Sequence, residues 1–301
     1  MTKVRWALLL GIVIIVAVYA SRRVSEHHQP YRYCGAFVTG TTLVVFPFNA
    51  SRETRIPLPF APGRLTYGPD GKSLYSASMH WDVAPYLYRV DLNSGGMTPV
   101  PALSGFAMNS LAISRDGATA LISGQYKAST QCGIFEAGIT SDSVRKIALT
   151  EAPDCTYEDS WRNLSLSPDA RFAVAERHGE IGLIDLAQGN VKSLGNGWQA
   201  AWSPDGKWIA ISDHLSESDI TLLSAGDLSV ERRFAGGDTP GLAWSPDSRY
   251  LLMWKSCLLS LGYFGTLETV DIQSGRMQAI RSSRCAVNLT TEGWVSEDVI
   301  R

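Results

Sequence analysis

The chemistry this sequence offers is concentrated in its histidines and in the turn-rich segments around three of them. A short turn recurs along the chain, beginning at Gly68, Ser114, Ser167, Ser203 and Ser245. Counting the same offset from each start reaches Met79, Gln125, His178, His214 and Ser256, with His80 one place beyond Met79. A constant offset in a repeated unit puts these positions near one rim. The candidate ligand-binding set on that rim is His80, Trp81, Gln125, Glu176, Arg177, His178, Asp213, His214, Trp254 and Lys255, with Asp82, Tyr126 and Lys127 beside them and Glu151, Asp154, Glu158, Asp159, Trp161, Trp198 and Asp238 on the links between units. Imidazoles beside carboxylates gain charge as pH falls through about 6.5, which makes binding pH-dependent. The same pairing of a histidine with a carboxylate serves general acid–base chemistry. Zinc needs nitrogens converging to about 2 Å from one point, and three histidines from separate repeats are expected to stand too far apart, so no metal is assigned. The competing reading is that these histidines cap strand ends and the aromatics shield packing.

Catalytic motifs do not add to this. The chain has no G-x-S-x-G elbow, H-E-x-x-H pair, phosphate-binding P-loop or C-x-x-C. Gly195-Asn-Gly197-Trp-Gln-Ala200 fits G-x-G-x-x-A. A dinucleotide site needs a helix next, whereas Trp202-Ser-Pro204-Asp-Gly206 reads as strand and turn. No catalytic residue and no cofactor are assigned. Asn49, Asn163 and Asn288 head N-x-S/T triplets, which carry no weight.

The elements that position the rim come from the repeat. Leu65-Thr-Tyr-Gly-Pro-Asp-Gly71, Leu111-Ala-Ile-Ser-Arg-Asp-Gly117, Leu164-Ser-Leu-Ser-Pro-Asp-Ala170, Ala200-Ala-Trp-Ser-Pro-Asp-Gly206 and Leu242-Ala-Trp-Ser-Pro-Asp-Ser248 are five copies of one unit, spaced 46, 53, 36 and 42 residues apart. Apolar residues two apart before each turn give the period of a half-buried strand. In the turn, proline fixes φ at the second position, aspartate tolerates the third and glycine takes the left-handed fourth, so each copy is a β-hairpin. Asp91-Leu-Asn-Ser-Gly95, Asp185-Leu-Ala-Gln-Gly189 and Asp271-Ile-Gln-Ser-Gly275 supply a second turn further along. Four strands per unit make the blade of a β-propeller. A sixth blade can be assembled from both ends: Ala286 to Gly293 copies the first strand and turn, and Leu43–Phe48 and Thr54–Leu58 read as outer strands.

Ala201-Trp-Ser-Pro-Asp-Gly-Lys-Trp208 and Ala243-Trp-Ser-Pro-Asp-Ser-Arg-Tyr250 carry a family resemblance. The chain resembles the TolB-like propellers with PD40-type, WD40-like repeats over about residues 35 to 300. The resemblance implies a six-bladed propeller and is specific for fold rather than for function. TolB itself carries an α/β domain before its propeller, and no segment of that length precedes the first strands here. A similar likeness to the propellers of prolyl oligopeptidase-like peptidases comes without their hydrolase domain.

Composition and compartment complete the reading. The chain has 301 residues, 27 glycines and 14 prolines, with 45% apolar and 19% charged residues, which excludes disorder and collagen. Net charge is -2; setting aside Lys3, Arg5, Arg22 and Arg23 leaves 23 basic residues against 29 acidic, so the remainder lacks the basic footprint of a nucleic-acid binder. Trp6 to Ala20 form an uncharged apolar run between these basic pairs. The run reads as a membrane anchor, or as a signal peptide if cleavage follows Ala20. The expected layout is anchor or signal at 1–24, polar stalk at 25–34 and propeller at 35–301. Cys132 and Cys155 fall in loops on one face of one repeat, and Cys257 and Cys285 in the corresponding loops of the last, which suggests two disulfides and an oxidising compartment with Cys34 left over.

The fold class is therefore all-β: a six-bladed β-propeller of four-stranded antiparallel blades, preceded by one N-terminal membrane helix or signal sequence. The functional expectation is an extracytoplasmic, membrane-anchored module that binds an envelope protein, a peptide or a small ligand at the rim, without nucleic acid and without catalysis. Its alternatives are an enzyme, a lyase or hydrolase using a rim histidine with a carboxylate, and a structural spacer in an envelope assembly.

Overall fold

The computed structural model describes residues 33–301 apart from 40, 48–53, 59–61, 79–86, 127–131, 148, 150–158, 213–218, 236–240, 260–261, 285–292 and 297–301. The apolar run expected to anchor the chain lies outside the described residues. Among the described residues no helix is long and apolar enough to cross a membrane, and the one helix is a single 3-10 turn at Pro101–Leu103.

In chain order the strands are β1 (Tyr33–Thr39), β2 (Thr42–Pro47) and β3 (Thr54–Pro57), then β4 (Pro62–Tyr67), β5 (Ser73–Ser78), β6 (Leu87–Asp91) and β7 (Met97–Pro99). A second set follows as β8 (Phe106–Ile113), β9 (Thr119–Tyr126), β10 (Cys132–Gly138) and β11 (Val144–Lys146), and a third as β12 (Arg162–Leu166), β13 (Phe172–Arg177), β14 (Glu180–Asp185) and β15 (Val191–Asn196). The last are β16 (Gln199–Trp202), β17 (Trp208–Ser212), β18 (Asp219–Ser224) and β19 (Val230–Ala235), then β20 (Gly241–Trp244), β21 (Tyr250–Leu259), β22 (Gly262–Asp271) and β23 (Met277–Arg284), and finally β24 (Gly293–Ser296). From β4 to β23, each consecutive four form one antiparallel sheet, giving five blades. A further four-stranded sheet has the order β24–β1–β2–β3 and joins the two ends of the chain.

Each turn tetrad closes its hairpin by the mechanism its residues imply. Ser203 Oγ donates to Asp205 Oδ1 at 2.7 Å and accepts the Trp208 N–H at 2.9 Å. The same pair of bonds recurs at Ser114, Ser167 and Ser245. The fourth position is left-handed in all five turns, including Ala170 (φ 54°) and Ser248 (φ 58°), where a side chain stands in place of glycine. Tetrads are also tied to one another: the Asp205 N–H donates to Ser248 Oγ of the next blade, and Arg115, which replaces proline in its own tetrad, reaches the Pro204 carbonyl two blades on at 3.1 Å.

The first strand of each blade is the inner one, and β4, β8, β12, β16, β20 and β24 lie side by side in that order. Second strands are buried on both faces, which is why they read as near-continuous apolar runs. In β17, Ile209 and Ile211 pack toward the preceding blade with Val174 and Ile181, while Ala210 packs toward the following one with Leu242 and Leu251. Buried clusters of this kind fill the seams between blades. Leu43, Val45 and Ile56 of the end-joining sheet share such a cluster with Leu74 and Val90 of β5 and β6.

Two sequence expectations are corrected here. The C-terminal end contributes the strand Gly293–Ser296, so Gly293, read as the end of a turn, opens a strand instead, while residues 286–292 lie outside the described residues; this strand pairs with β1, which the turn pattern did not reveal (Tyr33↔Ser296 to Ala36↔Gly293). Tyr33 and Cys34 belong to β1. Cys257 lies within strand β21 opposite Phe264, not in a loop, because that hairpin is longer than the repeat predicts.

The turns give a prediction. Ser203 is fully buried, and Ser203→Ala removes the acceptor of the Trp208 N–H and a donor to Asp205. The expected cost is about 2 kcal/mol, seen as a fall in melting temperature of ~5 °C. Serine hydroxyls hold the Asp116 and Asp169 carboxyls below the usual range, and at Asp205 the Ser203 hydroxyl and Lys207 N–H outweigh the opposing effect of burial. Folded-state values below the unfolded value stabilise the fold above about pH 4, and that contribution is lost as pH falls through the depressed values. Melting temperatures measured from pH 7 to pH 3 should fall steeply only at the acid end.

Candidate functional site

In antiparallel blades, the second-to-third-strand connections and the links between blades emerge on one face, opposite the tetrads. The described part of this upper face centres on β12–β15. Arg162, the first residue of β12, stands directly across from Glu176 near the end of β13. Arg162 Nε and Nη2 donate to the two Glu176 oxygens at 2.6 and 2.7 Å. Glu176 is fully buried, and its Oε1 also accepts the Gly179 N–H at 2.7 Å. The carboxylate thus fixes the hairpin turn between β13 and β14.

That turn is His178-Gly179, with φ of 54° and 79°. Two left-handed residues in a two-residue connection are what the right-handed twist of a hairpin demands, and asparagine or glycine normally supplies the first. Histidine there costs roughly 1 kcal/mol, offset by the bonds that hold the turn. The strained position projects His178 so that its Nε2 lies 2.8 Å from Asp159 Oδ1. His178 is 56% exposed and Asp159 35%, so this pair is open to a ligand while Arg162–Glu176 is not.

Two arginine–tryptophan stacks flank the turn. Arg177 lies 5.7 Å from the Trp161 ring and Arg162 5.0 Å from the Trp198 ring. Trp161 is buried, and its ring edge lies so close to Gly182 that a Cβ there would come within 2.8 Å of it. A bulge in β12 puts Asn163 in the left-handed region, from which its Nδ2 donates to the Trp198 carbonyl. Asn163 is therefore committed to the seam with β16–β19, a use that its N-x-S triplet does not signal. On the opposite seam Asn109 Nδ2 donates to Ser160 Oγ at 2.7 Å.

Of the sequence candidates, the structure brings Glu176, Arg177 and His178 together with Asp159, Trp161 and Trp198. Glu176 is placed as a buried support, not as a surface group. Gln125 is in β9, paired with Cys132. Trp254 and Lys255 lie in β21. His80, Trp81, Asp213, His214, Cys155 and Cys285 lie outside the described residues. Cys132 is disulfide-bonded. Among the described residues no group of histidine, cysteine and acidic side chains could hold a metal ion. The sequence pattern did not single out Arg162, since nothing in the repeat marks a residue whose only distinction is its partner across the hairpin.

Fold and site define a β-propeller with a polar, aromatic-flanked face. No protein-family model matches the sequence, and no curated protein matches it. Among solved structures, the chain is similar to a propeller in a nidogen–laminin complex, at 12% identity and a TM-score of 0.62 over 87% of this chain and 98% of that one. It is similar to a protein described as a TolB of Agrobacterium tumefaciens, at 18% identity and a TM-score of 0.57 over 84% and 90%. A protein described as a 6-phosphogluconolactonase of Bacteroides uniformis matches at 16% identity and a TM-score of 0.50 over 84% and 83%. At these identities the likeness is one of fold, and the TolB-like fold is shared.

Proposed function

We propose that this chain is an extracytoplasmic, membrane-anchored binding module: a six-bladed propeller, with β24–β1–β2–β3 as its closing blade, that holds a protein, peptide or small ligand on its upper face. One observation carries the reading. The His178–Asp159 pair is exposed beside two arginine–tryptophan stacks and rests on a buried, fully bonded Arg162–Glu176 pair, which is a rigid support under an adaptable polar surface. The tetrad face is built of near-identical turns, while the upper connections range from the two residues 178–179 to the span 147–161; variable connections on a uniform scaffold are where binding residues usually sit.

The compartment rests on two supports. The apolar run at residues 6–20 suits an anchor, and the disulfide at Cys132 suits an oxidising environment. We assign Cys155 as the partner of Cys132. By strand alternation Cys132 is on the same side of β10 as Ile134, which packs in the seam with β12–β15, and residues 148–158 span the link between those blades.

The experiment is crosslinking of tagged, full-length chain in its own membranes, compared with His178→Ala, Asp159→Ala and, as a control on the tetrad face, Arg171→Ala. Loss of the crosslinked partner by ~10-fold or more in the first two, with unchanged melting, is the expected result. Full recovery by both would make His178 a turn cap. A second reading, acid–base chemistry at His178, is favoured by its 2.8 Å contact with Asp159. It predicts that Asp159→Asn abolishes turnover of a bound ligand while leaving its binding within ~3-fold.

A further inference from the structure

Strand β8 carries one residue more than its partner β9. Met108 faces Gly124 and Ser110 faces Ser123, which leaves Asn109 as the extra residue of a β-bulge. Glycine is needed opposite it: Gly124 has a φ of 156°, and a Cβ there would run into the Ala107 carbonyl oxygen. The bulge changes where side chains go. In a regular strand successive residues point to opposite faces. Leu111 and Ile113 pack in the seam with β4–β7 and Ala112 in the seam with β12–β15, so unbroken alternation would send Asn109 to the first seam and Met108 to the second. The structure has the reverse: Met108 packs in the seam with β4–β7, and Asn109 joins Ser110 in facing β12–β15.

Those two consecutive side chains grip the chain entering β12. Asn109 Nδ2 donates to Ser160 Oγ at 2.7 Å, and Ser110 Oγ accepts the Leu164 N–H at 2.9 Å. Asn109, Ser110 and Ser160 are all buried. Between the two bonds Trp161 is buried in the same seam and Arg162 is locked to Glu176. Ser160 is therefore the anchored residue adjoining Asp159, whose partly exposed carboxylate meets His178. The device recurs one blade on. There the bulge in β12 aims Asn163 at the carbonyl of Trp198, on the other flank of the His178-Gly179 turn.

We infer that Asn109 is a positioning residue of the binding site: acting through Ser160, it holds Asp159 against His178, so that the site is built across the seam between two blades. The inference rests on the His178–Asp159 face being the binding face. Burial of apolar surface is non-directional, whereas the Asn109 amide bonds one particular atom of the link and so fixes where the next residue stands. Its partner is 51 positions along the chain, so Asp159 takes its place only when the two blades have docked. A bulge disrupts the ladder locally, and here it re-aims the one side chain that reaches this link.

The test uses the full chain, with histidine and aspartate selectively labelled, and reads the nuclear Overhauser effect between the His178 ring protons and the Asp159 β-protons. Recovery of the crosslinked partner from membranes is read beside it. Asn109→Ala and Ser160→Ala remove the bond from either end, and each is expected to weaken both readouts by ~5-fold or more. The double variant Asn109→Ala/Ser160→Ala should match either single variant within ~2-fold, because both act through one bond. Ser110→Ala is the control. It removes a buried bond from the same bulge, with a similar fall in melting temperature of ~5 °C, and should keep both readouts within ~2-fold. Equal losses in Ser110→Ala would overturn the inference, since seam stability would then explain them. An undiminished Overhauser effect in Asn109→Ala, or additive losses in the double variant, would overturn it too. An Overhauser effect lost with partner recovery intact would sustain the positioning role and sink the binding reading instead.

Discussion

A chain ending at residue 292 is expected to lose cooperative folding. β24 supplies the inner strand of the sheet that joins the chain's ends, through the pairs Tyr33↔Ser296, Cys34↔Val295, Gly35↔Trp294 and Ala36↔Gly293. Among the described strands none is left over to take its place: β24 is set beside β20 in the row of inner strands, and β1 is already paired to β2 on its other side. Lost ladder bonds alone amount to about 4 kcal/mol, and exposure of the seam with β4–β7 adds to it. The melting temperature should fall by more than ~10 °C. A synthetic peptide covering residues 291–301 should restore much of it in trans. A shortened chain that melts like the parent would show that the closing sheet stands without β24.

Glu176→Leu is expected to cost about 4 kcal/mol. Arg162, only 13% exposed, would keep its charge in the seam without its bidentate partner, and the Gly179 N–H would lose its acceptor. Breaking a buried pair by removing one member is far more damaging than removing both. The double variant Arg162→Met/Glu176→Leu should therefore recover at least half of the lost stability in a denaturant titration. Recovery of stability need not restore the rim. Without the Glu176 oxygen the left-handed His178-Gly179 turn relaxes, so the double variant should still bind the crosslinked partner more weakly than the parent. A double variant no more stable than Glu176→Leu would mean that packing, not the charge pair, sets the cost.

Most of the architecture could be read from residues 62 to 284 because each blade is closed by local chemistry. The tetrads carry their own instructions: a serine that caps, an aspartate that accepts, and a fourth residue at positive φ. Those interactions span only a few positions, so they survive in the sequence as a visible repeat. β1 could not be read in the same way. Tyr33-Cys-Gly-Ala-Phe-Val-Thr39 has no tetrad before it, because its inner partner comes from the opposite end of the chain.

The candidate site divides along the same line. A constant offset from the tetrads counts height above the turns, since every residue of a strand advances it by a similar rise. It does not mark the tip of the hairpin, which is set by where each pair of strands stops: His178 is in the turn itself, whereas Ser256 is still within β21. The sequence by itself determined the repeat, the four-stranded blade and the apolar run ahead of them. Only the tertiary structure decided that Glu176 is buried under Arg162 while His178 meets Asp159, because Glu176 is still paired within the sheet whereas His178 has left it in a left-handed turn, and both partners come from the chain entering β12.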